Sequence, residues 1–249
     1  MKSAIKILFL SFLIFTTSKD VYASANDLFL KANEAYKSGD FDKAFQRYNE
    51  ILKELPSADV YYNMGNAAFK LNHIGQAILY YERARKLSPR DPDVIRNLNY
   101  AKTFVESQVE DKRGPYSKAV TELLEQVSVK ECMMALVSVY FLLACLLGFR
   151  WIRARQFALG RLGVILLTLL IISIFSVSAK VYQSHFQKKA VVTVKKADVR
   201  YGPSADDKLA FSLTEGLVVN VDDELSGWCR VTLVSGESGW APKEGVGLV

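Results

Sequence analysis

Reactive side chains are scarce in this chain: two histidines and three cysteines stand among 249 residues. His73 and His185 are isolated from each other, and no Walker A loop, HExxH, GxSxG or paired-cysteine motif occurs. The one SxxK match, Ser3 to Lys6, lies in the N-terminal apolar segment. Without a nucleophile and base at motif spacing, or a cluster of metal ligands, the expectation is a non-enzymatic protein that needs no cofactor and no metal. Cys132 and Cys145 fall in one apolar run and Cys229 is alone in the C-terminal section, which therefore has no internal disulfide.

A surface of one charge sign is also missing. The net charge is +6, yet residues 26–149 hold 16 basic and 16 acidic side chains and residues 162–249 hold nine of each. Neither section offers the one-signed face that phosphate-backbone binding demands, so nucleic acid is excluded as a partner. The surplus sits in residues 1–25, with three Lys and one Asp, and in residues 150–161, with Arg150, Arg153, Arg155 and Arg161 and no acid. Both pieces border apolar runs.

The first run, twelve uncharged residues from Ile7 to Ser18 behind Lys2 and Lys6, has the form of a secretory signal peptide over residues 1–25, with cleavage after Ala23 or Ala25. An uncleaved anchor places the following residues on the same side. Residues 132–149 and 162–179 are each 18 residues without a charge, or ~27 Å of helix, enough for a transmembrane span; the alternative is a buried core hairpin. The arginine loop 150–161 between them belongs on the cytoplasmic side. Residues 26–131 and 180–249 then both lie outside the bacterial inner membrane, in the periplasm.

Shifted by 33 residues, the first exported section aligns on itself: Ala32 with Gly65, Asn33 with Asn66, Ala35 with Ala68, Ala44 with Ala77, Tyr48 with Tyr81, Pro56 with Pro89. A repeat of this period is a stacked supersecondary unit. Small residues mark close helix contacts, Gly39-Asp40 divides the first unit into two helices, and the prolines close each pair. The units are 26–58 and 59–91, with a capping helix over 92–107. Residues 108–131 form a linker and a juxtamembrane amphipathic helix on which Val120, Leu123, Leu124 and Val127 recur at i, i+3, i+4, i+7. That stripe suits either the membrane surface or the repeat stack.

These residues resemble the tetratricopeptide repeat. The departures are Leu28 and Tyr61 in place of the usual Trp, and Asn72-His73-Ile74 in place of a Gly-Asp-Tyr turn. The resemblance implies a concave face that receives peptides. Of the five positions that clamp a peptide carboxylate in some members, Asn33, Asn63 and Arg96 match in type, whereas Phe29 and Pro92 stand at the two lysine positions. With Asn66 they are the candidate peptide-binding residues, although asparagine is common there in repeats of any specificity.

Residues 190–249 change to short β-rich runs separated by glycine turns, the pattern of a small all-β barrel. Val199-Arg-Tyr-Gly-Pro-Ser204, Gly227-Trp228 and Gly239-Trp240 resemble the markers of the bacterial SH3-like (SH3b) domain. Tyr201, Trp228 and Trp240 are a candidate ligand face; in so small a domain the two Trp also suit the core.

The order of these parts is similar to one family, the BatE-like proteins of the Bat (Bacteroides aerotolerance) operon. The resemblance implies a multidomain membrane protein: an all-α repeat stack, a two-helix transmembrane hairpin and an all-β SH3-like barrel. It also implies an inner-membrane scaffold for stress tolerance, with von Willebrand A-domain membrane proteins as partners and, indirectly, a MoxR-type AAA ATPase. A second expectation is a cell-wall sensor whose SH3-like domain binds peptidoglycan. A third places the partner site on the hairpin, at Ala144 and Gly148.

Overall fold

The computed structural model describes residues 25–106, 114–152, 161–186 and 188–249. The expected signal peptide up to residue 24, linker residues 107–113, and Arg153 and Arg155 lie outside the described residues, as do the side chains of Arg150 and Arg161.

Five helices build the repeat module: α1 (25–37), α2 (Phe41–Glu54), α3 (Ala58–Lys70), α4 (Ile74–Leu87) and α5 (Pro92–Lys102). Each helix of the second pair starts and stops 33 residues after its counterpart. Small side chains set the approach: Ala32, Ala44, Ala67, Ala68, Ala77 and Ala101 are fully buried. A Cβ on Gly65 would meet the Tyr81 ring at 2.7 Å. Turns are handled differently in the two pairs. In the first, Gly39 takes φ +84° and the Asp40 side chain caps α2 by accepting from the Lys43 N–H. In the second, Asn72 holds the equivalent left-handed position at φ 62°, and exposed His73 occupies the N-cap of α4 without making a side-chain cap.

The β module contains β1 (Lys188–Val192), β2 (Lys196–Arg200), β3 (Leu209–Thr214), β4 (Val218–Leu225), β5 (Trp228–Thr232), β6 (Ser238–Pro242) and β7 (Val246–Leu248). All pairings are antiparallel in the order β3-β2-β6-β5-β4-β1-β7. One face carries the core, including Ala190, Val192, Val199, Leu213, Val219, Val231 and Cys229. The expected barrel is corrected here to an open sheet, because the end strands β3 and β7 do not pair. The edge of β7 is met by the repeat stack. Val249 N–H donates to Lys189 C=O, so the neighbouring Leu248, opposite Ala190, turns its carbonyl outward. Arg83 of α4 donates to that carbonyl from Nε at 3.0 Å and from a terminal nitrogen at 2.6 Å. A helix guanidinium thus satisfies an open carbonyl on the β7 edge.

The contact extends along one side of α4. Glu215, between β3 and β4, accepts from the Gly75 N–H at 2.8 Å, supplying the helix cap that His73 lacks. Leu79 packs on Gly247, where an added Cβ would come within 2.4 Å, and a Cβ on Gly75 would lie 2.3 Å from Val192 O. Val191 is fully buried within the repeat module's cluster while Ala190 and Val192 face the sheet core. Three consecutive buried residues in β1 therefore mark a strand covered on both faces.

Helices α6 (Pro115–Glu125), α7 (Val129–Ile152) and α8 (Arg161–Phe186) complete the described chain. Ser128 and Glu131 form a reciprocal capping box at the start of α7, and Glu131 also accepts from Arg90 at the end of the repeat stack. Within α7 and α8, Val129–Phe149 and Leu162–Tyr182 are each long and apolar enough to cross a membrane, and almost none of either stretch is buried by protein. They pack along a seam whose less exposed positions include Cys132, Leu136, Val139, Leu143 and Leu146 of α7 and Gly163, Leu166, Leu170, Ser173 and Val177 of α8. This 3-and-4 spacing is that of antiparallel helices crossing at a small angle. Ala144 is exposed, whereas Gly148 is half-buried with open space where a Cβ would stand.

Glu215→Ala is expected to lower stability by about 1 kcal/mol, the worth of a lost helix cap, read as a shift in the urea midpoint. Gly75→Ala should separate the modules, visible as two unfolding transitions where the wild type gives one; an unchanged single transition would show that the close approach at Val192 is not needed.

Candidate functional site

Three surfaces bring chemistry-bearing residues together. On the face made by α1, α3 and α5, asparagines alternate with tyrosines. Tyr48 donates to Asn33 Oδ1 at 2.6 Å, and Asn63 Nδ2 approaches the same oxygen at 3.4 Å. One repeat later Tyr81 donates to Asn66 Oδ1 at 2.7 Å, Asn97 Nδ2 donates to that oxygen at 2.9 Å and also to the Tyr62 hydroxyl at 3.0 Å. Burial, with the nearby Tyr36, pushes the Tyr48 hydroxyl up to about 12, and burial with Tyr62 raises Tyr81 further. Both phenols therefore stay protonated and donate throughout the physiological range. The oxygens of Asn33 and Asn66 are occupied by this ladder, which makes the two half-buried residues parts of the stack's internal bonding.

Arg96 stands apart from the ladder. It is exposed and pairs with Asp93 at 2.5 Å on its own helix, an arrangement worth little to stability. Its neighbour Asn97 is the residue that sequence reasoning missed. The available signal was spacing, since Asn97 follows Asn66 by nearly the interval that separates Asn63 from Asn33.

The second surface is the outer face of the β sheet. Strand alternation puts Cys229, Val231, Gly239 and Ala241 inward, so Trp228, Arg230, Trp240 and Pro242 share the opposite face. Register sets Trp228 across from Pro242 and Leu225, and Trp240 between Arg230 and Arg200. The two indoles are half-buried and lie outside the core cluster. Arg200 donates to Asp207 C=O at 2.6 Å, and Gly202 lies so close to the Asp207 carboxylate that a Cβ would come within 2.4 Å. This tight loop leaves Tyr201 72% exposed at the strand's end. Cations flanking flat aromatic rings suit planar or anionic groups.

The third is the junction of all modules. Glu82 of α4 is buried at 4% exposure and binds Lys102 at 2.8 Å and Arg85 at 2.8 Å. Arg85 reaches on to Glu125 of α6 at 3.1 Å, and Glu125 also pairs with Lys189 of β1. Burial pushes the Glu82 carboxyl up, but Lys102 and then Arg85 more than offset it; burial likewise raises Glu125, and Lys189 with Arg85 outweighs it. Among the described residues no group of three or more metal-ligating side chains occurs. Cys132, Cys145 and Cys229 are free thiols, and Cys229 is sealed in the sheet core where burial raises its pKa.

Because both carboxyl pKa values are depressed in the folded chain, their contribution is complete above the unfolded value, about 4.3, and is lost as pH falls through the lower folded values. Acidification below about pH 4.3 should loosen α6 and β1 from α4, and Glu82→Gln should flatten that acid limb of a stability against pH curve. Tyr81→Phe should cost about 1 kcal/mol in the urea midpoint of the repeat module. Arg96→Ala should leave that midpoint within about 0.5 kcal/mol, as for exposed sites.

Comparison with known proteins agrees with two of these modules. The bacterial SH3 domain family matches residues 193–246, and the tetratricopeptide repeat family matches residues 58–91. Sperm-associated antigen 1 of Rattus norvegicus and of Mus musculus are each 37% identical to this chain over 73 residues, 29% of this chain and 8% of theirs. The chain thus contains a tetratricopeptide repeat and a bacterial SH3 domain, and spans only a small part of the curated relatives it matches.

Proposed function

We propose that this chain is a non-enzymatic scaffold of the bacterial inner membrane, whose repeat stack and SH3 domain act as one rigid periplasmic unit that assembles a protein complex. The observation that carries the reading is the docking of the sheet on α4 through Glu215, Arg83 and Val191. Flexibly linked modules bind independently, whereas a fixed pair presents the asparagine-lined face and the tryptophan face in one geometry and pays the ordering cost in advance. The topology rests on the charge asymmetry of the chain: α7 and α8 span the bilayer, the arginine loop 150–161 stays inside, and residues 1–25 start export. Following the BatE-like resemblance, the partners are von Willebrand A-domain membrane proteins, in a stress or aerotolerance function that a MoxR-type ATPase serves indirectly.

Co-purification from native membranes should recover such partners with the intact chain and lose them when residues 26–106 are deleted; unchanged recovery would sink the scaffold reading. A reporter active only in the cytoplasm should work when fused at Arg155 and fail when fused after Val249.

One observation favours a second reading, the cell-wall sensor. Trp228 and Trp240 leave the core and form an open aromatic face, which a peptidoglycan ligand can use for stacking. Full-length protein in detergent should then be retained on purified sacculi and be released by Trp228→Ala with Trp240→Ala. Retention unaffected by both changes would remove that reading.

A further inference from the structure

The two faces of α6 are reversed. At ~3.6 residues per turn, Tyr116, Ala119, Val120 and Leu123 share one side of the helix, and Ser117, Lys118, Thr121, Glu122 and Glu125 share the other. A surface helix ordinarily buries its apolar stripe and leaves its polar one in water. Here Tyr116, Val120 and Leu123 are 83%, 39% and 65% exposed and Ala119 is exposed beside them, whereas Lys118, Thr121 and Glu125 are half-buried. Two ion pairs hold this orientation. Glu125 binds Arg85 of α4 and Lys189 of β1, so rolling the apolar side inward would break contacts to both the repeat stack and the sheet.

The turn that follows is fixed as well. Only Gln126, Val127 and Ser128 separate α6 from α7; the Gln126 N–H closes α6 on Glu122 C=O, and Ser128 and Glu131 cap α7 while Glu131 also accepts from Arg90. The apolar strip therefore stands at a set position beside Val129, where the first membrane-length apolar stretch begins. That continuity identifies what covers it. The apolar medium within reach of Leu123, six positions before Val129, is the bilayer that α7 enters. Eleven residues make ~16 Å of helix, too short to cross it, and a tyrosine at the end of an apolar strip suits the level of the headgroups. We infer that α6 is an interfacial helix: Tyr116, Val120 and Leu123 are immersed at the boundary of headgroups and acyl chains, and Glu125 on the opposite side ties the repeat stack and the sheet to that surface. The inference rests on α7 and α8 spanning the bilayer, as the proposed function holds, and is independent of its protein partners.

The test uses the full-length chain in phospholipid nanodiscs, with the photo-crosslinking residue p-benzoylphenylalanine placed at one position at a time and the adducts read by mass. In place of Leu123 or Val120 it should capture phospholipid. In place of Thr121, on the inward side, it should capture none, and likewise in place of Leu209, an exposed apolar residue of β3 at the sheet edge opposite β7. In place of Leu142, exposed within the apolar stretch of α7, it reports the spanning topology by capturing phospholipid. Val120→Asp should remove the lipid adduct at Leu123, whereas Glu122→Gln, on the polar side, should leave it. Capture of a second copy of the chain or of another protein at Leu123 in place of lipid would overturn the inference. So would lipid capture at Thr121 or Leu209 equal to that at Leu123, or an adduct that survives Val120→Asp. Should Val120→Asp fail to fold, the pattern of capture in the chain without it decides alone. No lipid at Leu142 would refute the spanning topology, whereas lipid at Leu142 with none at Leu123 would refute this inference alone.

Discussion

The arrangement of the repeat stack and the sheet depends on how one helix is capped. Helix α4 begins with a histidine that offers no side-chain cap, and the carboxylate of Glu215, from a different module, takes over that role at the Gly75 N–H. A helix N-terminus carries several unpaired N–H donors and the positive end of the helix dipole, so an anion placed there is stabilised. Once Glu215 is seated, the spacing along α4 brings Leu79 onto Gly247 and Arg83 onto the open carbonyl of Leu248. An edge carbonyl of β7 is then satisfied by a helix side chain.

The same helix organises the charge network beneath. Glu82 is buried, and a buried carboxylate is tolerated only with partners; Lys102 comes from the capping helix and Arg85 passes the interaction on to Glu125 and so to β1. Repeat stack, α6 and sheet meet through one chain of alternating charges, at the point where the apolar hairpin begins and ends.

Much of this was legible in the sequence, for physical reasons that differ by element. The 33-residue shift located the helix pairs because close helix packing forces alanine and glycine into fixed positions. The glycine turns and alternating valines located the sheet. What stayed hidden was anything that depended on two modules at once. His73 in place of Asp40 and Gly75 in place of Asp42 read as ordinary repeat variation, although together they are the footprint of the docked sheet: one removes the local cap and the other clears space for Val192 O. Barrel closure was expected because strand pattern does not reveal that a helix will satisfy an edge. At the asparagine face, Arg96 drew attention through its charge while the uncharged Asn97 made the bonds. The indoles were ambiguous until strand register assigned them to the outer face.

The cap has a consequence in time as well as in space. Gly75 and Glu215 are separated by 140 positions, and the hairpin lies between them. During synthesis the repeat stack emerges long before the residue that completes its fourth helix, and distant contacts of this kind form late. The Ile78 and Leu79 side of α4 stays uncovered until the sheet has folded against it. Completion of the second repeat is thereby tied to folding of the sheet: a chain whose sheet is unfolded leaves α4 without its cap.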